Sequence, residues 1–196
     1  MKTAIFGGAF NPVHNGHVQA ALCLRDAVQA DRVLFMPSYL SPHKSSGALV
    51  SGQHRLNMLR LALREYPFFE ISTLELDKQD ISYTVETVRL LREQYPEDEF
   101  YLFIGADMFL TFDGWREWQS LLEQVTLCTV PRDHADLAAL EQKKLQYEAL
   151  GGNCILVDMP LADISSTELR RGQKQEYLNC EVKQYIHEHN LYTDAR

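Results

Sequence analysis

Two histidines spaced three residues apart, His14 and His17, lie just after a stretch rich in glycine and turn-forming residues. This stretch, Gly7-Gly8-Ala9-Phe10-Asn11-Pro12, follows the apolar run Ala4-Ile5-Phe6. From Gly16 onward the apolar residues have helical spacing, so the predicted order is strand, glycine-rich turn and helix. The first amides of a helix lack intrahelical partners and carry partial positive charge, which favours phosphate binding at such a turn. We expect the two imidazoles to join these backbone donors.

A metal site is the competing interpretation of the histidine pair, because imidazole nitrogens are common metal ligands. Such a site needs a third or fourth ligand at a suitable spacing, and the other histidines offer none that is recognisable: His54, His134, His187 and His189. The cysteines are scattered and form no C-x-x-C pair, which argues against zinc and against a disulfide framework. We therefore predict no metal site built from protein side chains.

The chain has 196 residues, 45% of them hydrophobic, and a formal net charge of −8. Nucleic-acid-binding proteins concentrate Lys and Arg on one face, so this acidic balance argues against a nucleic-acid partner. The first residues lack a charged and apolar leader pattern, and no apolar run has the length of a membrane span. We expect a soluble, cytoplasmic protein with no membrane partner.

Short apolar runs alternate with helical periodicity along the whole chain, and no linker or repeat divides it. Strands are predicted at 2–6, 32–37, 69–74, 100–104, 126–130 and 154–157. The helix predicted at 53–65 directs Arg55, Arg60 and Arg64 outward, and another is predicted at 115–123. The expected fold is one α/β domain over residues 1–196, with a Rossmann-like, doubly wound, mostly parallel sheet, helices on both faces and a small C-terminal helical segment.

Further candidate residues lie where these strands end or short helices begin. A long loop from Ser38 to Gly52 carries Lys44, and Gly105-Ala106-Asp107 follows an apolar strand, where parallel sheets bind ligands. Ser165 and Glu168 have the spacing of a helix capping box. Asp107 and Thr84 have the residue types of helix N-caps.

Two of these stretches resemble one family of nucleotidyltransferases. Residues 7–17 resemble the signature G-G-[ST]-F-[DN]-P-x-H-x-G-H, and residues 164–170, Ile-Ser-Ser-Thr-Glu-Leu-Arg, resemble the motif I-S-S-T-x-[IL]-R. The intervening features narrow the resemblance to bacterial nicotinate-nucleotide adenylyltransferases: Met36-Pro37, Pro42-His43-Lys44, Ser82-Tyr83-Thr84, Ile104-Gly105-Ala106-Asp107 and Trp115. The resemblance extends over essentially the whole chain.

This resemblance implies transfer of the adenylyl group of ATP to nicotinate mononucleotide, with release of pyrophosphate and formation of the deamido precursor of NAD. The attacking atom is a phosphate oxygen that is already largely ionised at neutral pH, so no general base is needed. Mg²⁺ is implied as the cofactor and is carried mainly by the ATP phosphates. Catalysis then consists of positioning and charge stabilisation.

The resemblance also implies roles for individual residues. His14, His17, Lys44 and Arg170 are the implied catalytic group, with His17 nearest the α-phosphate. ATP binding further involves Gly7, Gly8, Ala9, Phe10, Gly105, Asp107, Ser165, Ser166 and Thr167. Nicotinate mononucleotide is implied to contact Lys44, Thr84, Trp115, Arg116 and Arg132, where Trp115 stacks on the pyridine ring and Arg132 pairs with the phosphate.

The sequence departs from the family pattern at three positions. Ala9 replaces Ser or Thr, so we expect backbone amides to make that contact. Asn11 replaces Asp, and either side chain organises a turn by bonding to local backbone. Asp133-His134 follows Arg132 where the family has Pro-Gly, which weakens the substrate-phosphate role of Arg132.

Other functions remain open at the level of the sequence. The same histidine turn occurs in phosphopantetheine adenylyltransferases and cytidylyltransferases, although Trp115 and Ser82-Tyr83-Thr84 argue against these two classes. A non-catalytic nucleotide-binding protein is a third alternative, against which the presence of both histidines, Lys44 and Arg170 argues. A homo-oligomer is also left open.

Overall fold

A six-stranded parallel sheet forms the centre of the structure, which is a computed structural model that describes residues 1–40, 49–131, 134–158 and 164–193. The strand order is β3-β2-β1-β4-β5-β6, and each neighbouring pair is parallel. The strands are β1 Lys2–Gly8, β2 Arg32–Pro37, β3 Phe69–Ile71, β4 Glu99–Phe103, β5 Thr126–Thr129 and β6 Asn153–Leu156. The parallel α/β prediction is therefore confirmed.

Helices cover both faces of this sheet. They are α1 Asn15–Val28, α2 Gly52–Leu63, α3 Leu74–Lys78, α4 Thr84–Gln94, α5 Ala106–Leu110, α6 Trp118–Gln124, α7 His134–Ala149, α8 Ser166–Arg170 and α9 Cys180–Glu188. Side chains of a strand alternate between faces, so Ala4 and Phe6 of β1 pack in one core with Leu24 of α1, whereas Ile5 packs in the other with Val88 of α4. None of the helices in the described ranges has the length and apolar character required to cross a bilayer.

The predicted end of the third strand and the predicted start of the helix at 115–123 are wrong. The third strand ends at Ile71 instead of residue 74, and the segment that follows forms the short helix α3. Thr73 donates a hydrogen bond to Asp77 across that first turn (2.6 Å), and the acidic residues there are favourable at a helix amino terminus. The helix predicted at 115–123 begins only at Trp118, because Glu117 adopts a left-handed conformation (φ 52°).

An ion network holds the amino-terminal ends of four strands together. The guanidinium of Arg32 donates to Thr3 (2.9 Å) and Asp98 (2.9 Å) and also pairs with Glu70 (3.2 Å). Thr3 donates to the same Asp98 oxygen at 2.6 Å, and the terminal ammonium of Met1 lies 3.2 Å from the second oxygen. The network lies at the amino-terminal ends of the strands, opposite the carboxyl ends where the candidate site lies.

The carboxyl ends of β1 and β4 mark the point where the sheet changes direction. β1 pairs with β2 on one side and with β4 on the other, and the chain order reverses between β1 and β4. In open parallel sheets the crevice at such a point is where ligands bind. The stretch after β1 and the stretch after β4 both open onto it.

Candidate functional site

The turn after β1 consists of residues 9–13, and we call it the β1 turn. Gly7 and Gly8 are the last residues of the strand, so the prediction that the two glycines form the turn is wrong. The left-handed residue is Phe10 (φ 47°). A Cβ atom on Gly8 would lie 3.1 Å from the Phe10 ring, so the glycine lets that ring fold back against the strand.

Distant residues bind the carbonyl groups of the β1 turn and of the strand end before it. The Ser38 amide donates to the carbonyl of Gly8 (3.0 Å) and Arg55 donates to that of Ala9 (2.8 Å). Arg170 donates to the carbonyl of Asn11 (2.8 Å), and Ser166 donates to that of Pro12 (3.0 Å). Because the C=O and N–H of a trans peptide point in opposite directions, the amides of Ala9 and Phe10 point away from Ser38 and Arg55 respectively.

The side chain of Asn11 is a tertiary anchor for the β1 turn. Its amide oxygen accepts a hydrogen bond from the backbone of Val50 (3.2 Å) and another from the hydroxyl of Tyr192 (2.9 Å). Asn11 is itself 3% exposed. The prediction that this residue bonds to local backbone is therefore wrong for its side-chain oxygen, because both partners come from distant parts of the chain.

The two histidines lie together at the start of α1, as predicted. His14 is the N-cap and His17 is in the first turn, and their ring centroids are 3.7 Å apart. The His14 amide donates to Nδ1 of His17 (3.3 Å), so the neutral His17 ring carries its proton on Nε2. His17 thus presents an N–H donor at the end of its ring opposite the backbone.

His14 is uncharged at neutral pH. The side chain is 6% exposed, and burial lowers its pKa from 6.5 to about 4. Its Nδ1 atom is buried and has no hydrogen-bond partner within the described ranges. A Cβ atom on Gly16 would lie 3.0 Å from that nitrogen and 2.8 Å from Ile164, so only glycine leaves room for the ring beside the segment before α8.

The short helix α8 carries the second predicted motif to the β1 turn. Ser165 is its N-cap and forms the predicted capping box: its hydroxyl accepts from the Glu168 amide (3.3 Å), and the Glu168 carboxylate accepts from the Ser165 amide (2.9 Å). Arg170 also donates to the hydroxyl of Thr167 (3.0 Å). The structure therefore joins residues 9–17 and 164–170, which are far apart in the sequence.

Gly105 and Asp107 follow β4 on the other side of the crevice. Gly105 is the N-cap of α5, and Asp107 lies in the first turn, so the alternative role of Asp107 as the N-cap is wrong. Both residues are exposed. A Cβ atom on Gly105 would lie 2.8 Å from a carboxylate oxygen of Asp107, which shows how closely that carboxylate approaches the backbone.

Three of the residues predicted for the second substrate lie near one another. Thr84 is the first residue of α4, whose N-cap is Tyr83, so the capping role of Thr84 is wrong. The guanidinium of Arg116 lies 4.6 Å from the centroid of the Tyr83 ring and donates to Glu86 (2.9 Å). Trp115, adjacent in sequence, is partly exposed and packs against Phe112 (5.3 Å between centroids).

Several candidate residues were predicted differently or were missed. Lys44 and Arg132 lie outside the described residues. Arg55 was expected on the outward face of α2, yet it is 2% exposed, so that prediction is wrong. No site role was predicted for Glu86 or Tyr192. For Arg55 and Tyr192 the signal in the sequence was a polar side chain placed among apolar neighbours.

The part of the chain that the structure describes contains no cluster of three or more His, Cys, Asp or Glu side chains able to hold a metal ion. The polar groups that line the β1 turn are mainly N–H donors, hydroxyls and guanidinium groups. Such groups bind anions, whereas Mg²⁺ prefers carboxylate, phosphate and water oxygens.

The sequence and the fold match known proteins. A family model described as cytidylyltransferase-like matches residues 5–172. Curated relatives described as probable nicotinate-nucleotide adenylyltransferases include one from Shewanella frigidimarina, 34% identical over 98% of this chain and the whole of that protein. Another, from Carboxydothermus hydrogenoformans, is 38% identical over 97% of this chain and 98% of that protein.

A solved structure with the same fold is the nicotinic acid mononucleotide adenylyltransferase of Plasmodium falciparum complexed with NaAD. It superimposes with a TM-score of 0.76 and 19% identity, and the match covers all of this chain and 98% of that one. At this identity the superposition supports the fold, whereas the curated relatives establish the family. The chain belongs to the cytidylyltransferase-like family and, within it, to the nicotinate-nucleotide adenylyltransferases.

Proposed function

We propose that this protein transfers the adenylyl group of ATP to nicotinate mononucleotide and so makes nicotinate adenine dinucleotide. A phosphate oxygen of the mononucleotide forms a bond to the α-phosphorus of ATP, and the bond from that phosphorus to the bridging oxygen breaks, so that pyrophosphate leaves with the electron pair. The contact of Arg170 with the carbonyl of Asn11 carries the proposal, because it brings the two motifs together into one donor-rich surface, which suits phosphate.

The reaction needs charge stabilisation more than proton transfer. The attacking phosphate is already largely dianionic at neutral pH, because its second pKa is near 6. The geometry offers His17 Nε2–H, the amides of Ala9 and Phe10, and the guanidinium of Arg170 as donors for developing negative charge. His14 is neutral, so we assign it to hydrogen bonding and to positioning His17.

The remaining ATP contacts are proposed from the position of each group at the crevice. Ser165, Ser166 and Thr167 begin α8, where hydroxyls and free amides can contact phosphates. Gly105 and Asp107 lie on the β4 side, where a carboxylate can accept hydrogen bonds from ribose hydroxyls. Lys44 is assigned to the phosphates on the family resemblance alone.

Selectivity for the acid form of the pyridine nucleotide is proposed for the residues at the start of α4 and around Trp115. Thr84 lies where α4 has amides without intrahelical partners, and these favour a carboxylate. Glu86 would oppose a carboxylate, but Lys78 and Arg116 pair with it and offset its charge. Trp115 is proposed to stack on the pyridine ring, and Arg132 to pair with the mononucleotide phosphate.

Mg²⁺ is proposed as the cofactor, held chiefly by the triphosphate. The donor-rich β1 turn fits anionic phosphate oxygens, and these in turn supply the hard ligands that Mg²⁺ prefers. When bound, the ion neutralises phosphate charge and orients the departing pyrophosphate.

Pyrophosphate release tests this function. The protein is incubated with ATP, Mg²⁺ and nicotinate mononucleotide. Parallel reactions replace this acceptor with nicotinamide mononucleotide or phosphopantetheine, and a further reaction contains CTP and an alcohol phosphate. Release with nicotinate mononucleotide well above the other acceptors is the expected result. Equal rates with both pyridine mononucleotides would refute the acid selectivity. ATP binding without turnover of any acceptor would instead indicate a non-catalytic nucleotide-binding protein.

A further inference from the structure

Arg55 is a buried cation directly behind the β1 turn. It projects from α2, is 2% exposed, and is among the largest fully buried side chains in the described part of the chain. Its Nη1 donates to the carbonyl of Ala9 (2.8 Å), and its Nε donates to the carbonyl of Val50 (3.3 Å). A buried arginine normally pairs with a carboxylate, because an isolated buried charge is strongly unfavourable.

No carboxylate accompanies Arg55 among the residues that the structure describes, where its hydrogen-bond acceptors are the two carbonyl oxygens. Burial lowers the pKa of the guanidinium, but arginine keeps its proton in proteins. Arg170 donates to the next-but-one carbonyl of the same turn and to a hydroxyl. Two guanidinium groups therefore contact carbonyls of the β1 turn, and their positive charge suits the turn to an anionic ligand.

The contact with Ala9 also determines where the next amide points. The Ala9–Phe10 peptide is trans, so the Phe10 N–H points away from Arg55. Neither this amide nor that of Ala9 donates a hydrogen bond to another residue of the described ranges. Consecutive free amides beside a left-handed residue form a concave surface that binds anions.

Val50 connects this arrangement to the other anchor of the turn. Its carbonyl accepts from Arg55, and its amide donates to the side chain of Asn11 (3.2 Å). Arg55 thus holds both the turn and the chain just before α2 in one position. An ammonium group in its place would keep the charge but lose the planar fork that reaches both carbonyls.

We propose that Arg55 is a positioning residue for the ATP phosphates: it fixes the Ala9–Phe10 peptide with its amide available to phosphate and supplies buried positive charge behind the β1 turn. This inference rests on the proposed function, since it assumes that the turn binds ATP phosphates. It predicts that Arg55 affects the binding of pyrophosphate, which occupies the ATP phosphate site, and leaves the binding of nicotinate mononucleotide unchanged.

The test compares R55Q, R55K and the wild type, with R60Q as a matched control from the exposed face of the same helix. Titration calorimetry measures the Kd of inorganic pyrophosphate and of nicotinate mononucleotide, and circular dichroism reports folding. We expect the pyrophosphate Kd to rise about tenfold or more in R55Q, on the scale of a hydrogen bond to a charged group, and about threefold in R55K. The Kd of nicotinate mononucleotide should stay within about twofold of the wild type in both variants. In R60Q the Kd of each ligand should stay within the same range.

An unchanged pyrophosphate Kd in folded R55Q would overturn the proposal, as would equal losses for both ligands. If R55Q does not fold, R55K decides: a loss confined to pyrophosphate supports the proposal, and wild-type affinity contradicts it. Wild-type protein that binds pyrophosphate but turns over no acceptor would refute the adenylyltransferase function alone. Normal turnover by the wild type, together with an unchanged pyrophosphate Kd in R55Q, would refute the role of Arg55 and leave the adenylyltransferase function standing.

Discussion

The chemistry of the site depends on how two adjacent imidazoles differ. His14 is buried and neutral, whereas His17 accepts from a backbone amide at Nδ1, which leaves Nε2 as the protonated nitrogen of its neutral ring. A general base paired with a nucleophile would require a hydroxyl or thiol beside the ring, whereas the hydrogen bond that joins these two histidines comes from a backbone amide. The pair instead combines a neutral ring with an adjacent N–H donor, which suits a reaction whose nucleophile is already ionised.

Removal of the His17 ring should slow the reaction with little effect on stability. We expect H17A to lower kcat by about a hundredfold or more, which is the usual effect of losing one preorganised donor to transition-state charge. Steady-state pyrophosphate release at saturating substrates measures this change. H187A, an exposed histidine of α9, is the control and should retain the wild-type kcat. An unchanged kcat in H17A would exclude His17 from the mechanism.

Burial of His14 should make the ligand-free protein less stable in mild acid. The unfolded chain takes up a proton near pH 6.5, but the folded protein does so only near pH 4, so the free energy of unfolding falls as the pH drops through this window. A difference of this size corresponds to about 3 kcal/mol. Urea denaturation between pH 7 and pH 4 should show a clearly shallower decline for H14N, and parallel curves would contradict the assignment.

At the scale of elements, the site forms where α8 meets the amino end of α1. The five-residue helix α8 is held by its capping box and by the contacts of Ser166 and Arg170 with the β1 turn. An isolated helix of this length is unstable in water, so its position depends on these contacts. Gly16 lies at the closest point of this junction, between His14 and Ile164.

A methyl group at Gly16 should disturb this junction. G16A gains helix propensity of about 1 kcal/mol, but its Cβ would lie 2.8 Å from Ile164 and 3.0 Å from the His14 ring. We expect kcat/KM for ATP to fall by about tenfold or more while the free energy of unfolding changes by less than about 1 kcal/mol. Kinetics and urea denaturation measure the two effects. G114A, where a Cβ meets no atom within 4 Å, should behave like the wild type in both.

At the scale of the whole molecule, the parallel sheet separates stability from chemistry. The candidate site lies at the carboxyl ends of β1 and β4, and the ion network of Arg32 and Asp98 lies at the opposite ends of the strands. Burial by itself would raise the pKa of Asp98, but hydrogen bonds from Thr3, the terminal ammonium and Arg32 together lower it. The stabilisation by this carboxylate is therefore present above its unfolded pKa and is lost as the pH falls through the folded value.

Truncation of Asp98 should destabilise the fold without impairing the site. D98A leaves a buried guanidinium with fewer acceptors, so we expect the free energy of unfolding to fall by about 3 kcal/mol. KM for ATP should stay within about twofold of the wild type, because the network lies at the opposite ends of the strands from the candidate site. E181A, which breaks the exposed pair with Arg64, is the control and should change stability by less than about 1 kcal/mol. A large rise in KM for D98A would contradict this separation.

Local patterns in the sequence were enough to predict most helices and strands, and two motifs were enough to indicate the family. The alternation of short apolar runs and helical spacing predicted the parallel sheet, and Ser165 with Glu168 predicted the cap of α8, because these signals depend on neighbours a few residues apart. The motifs at 7–17 and 164–170 indicated the enzyme class. The short edge strand β3 and the helix α3 were misjudged, because a three-residue strand is defined by its partner more than by its own residues.

The tertiary structure alone decided what surrounds the β1 turn. Arg55 has the polar type and position of a surface residue on α2, yet packing of that helix buries it against Ala9. Asn11 bonds to Val50 and Tyr192, which are distant in sequence. The low pKa of His14 likewise arises from burial in the folded chain. Burial and charge compensation are properties of the folded chain, so a residue's type and spacing predict its place on an element but not which distant groups will face it.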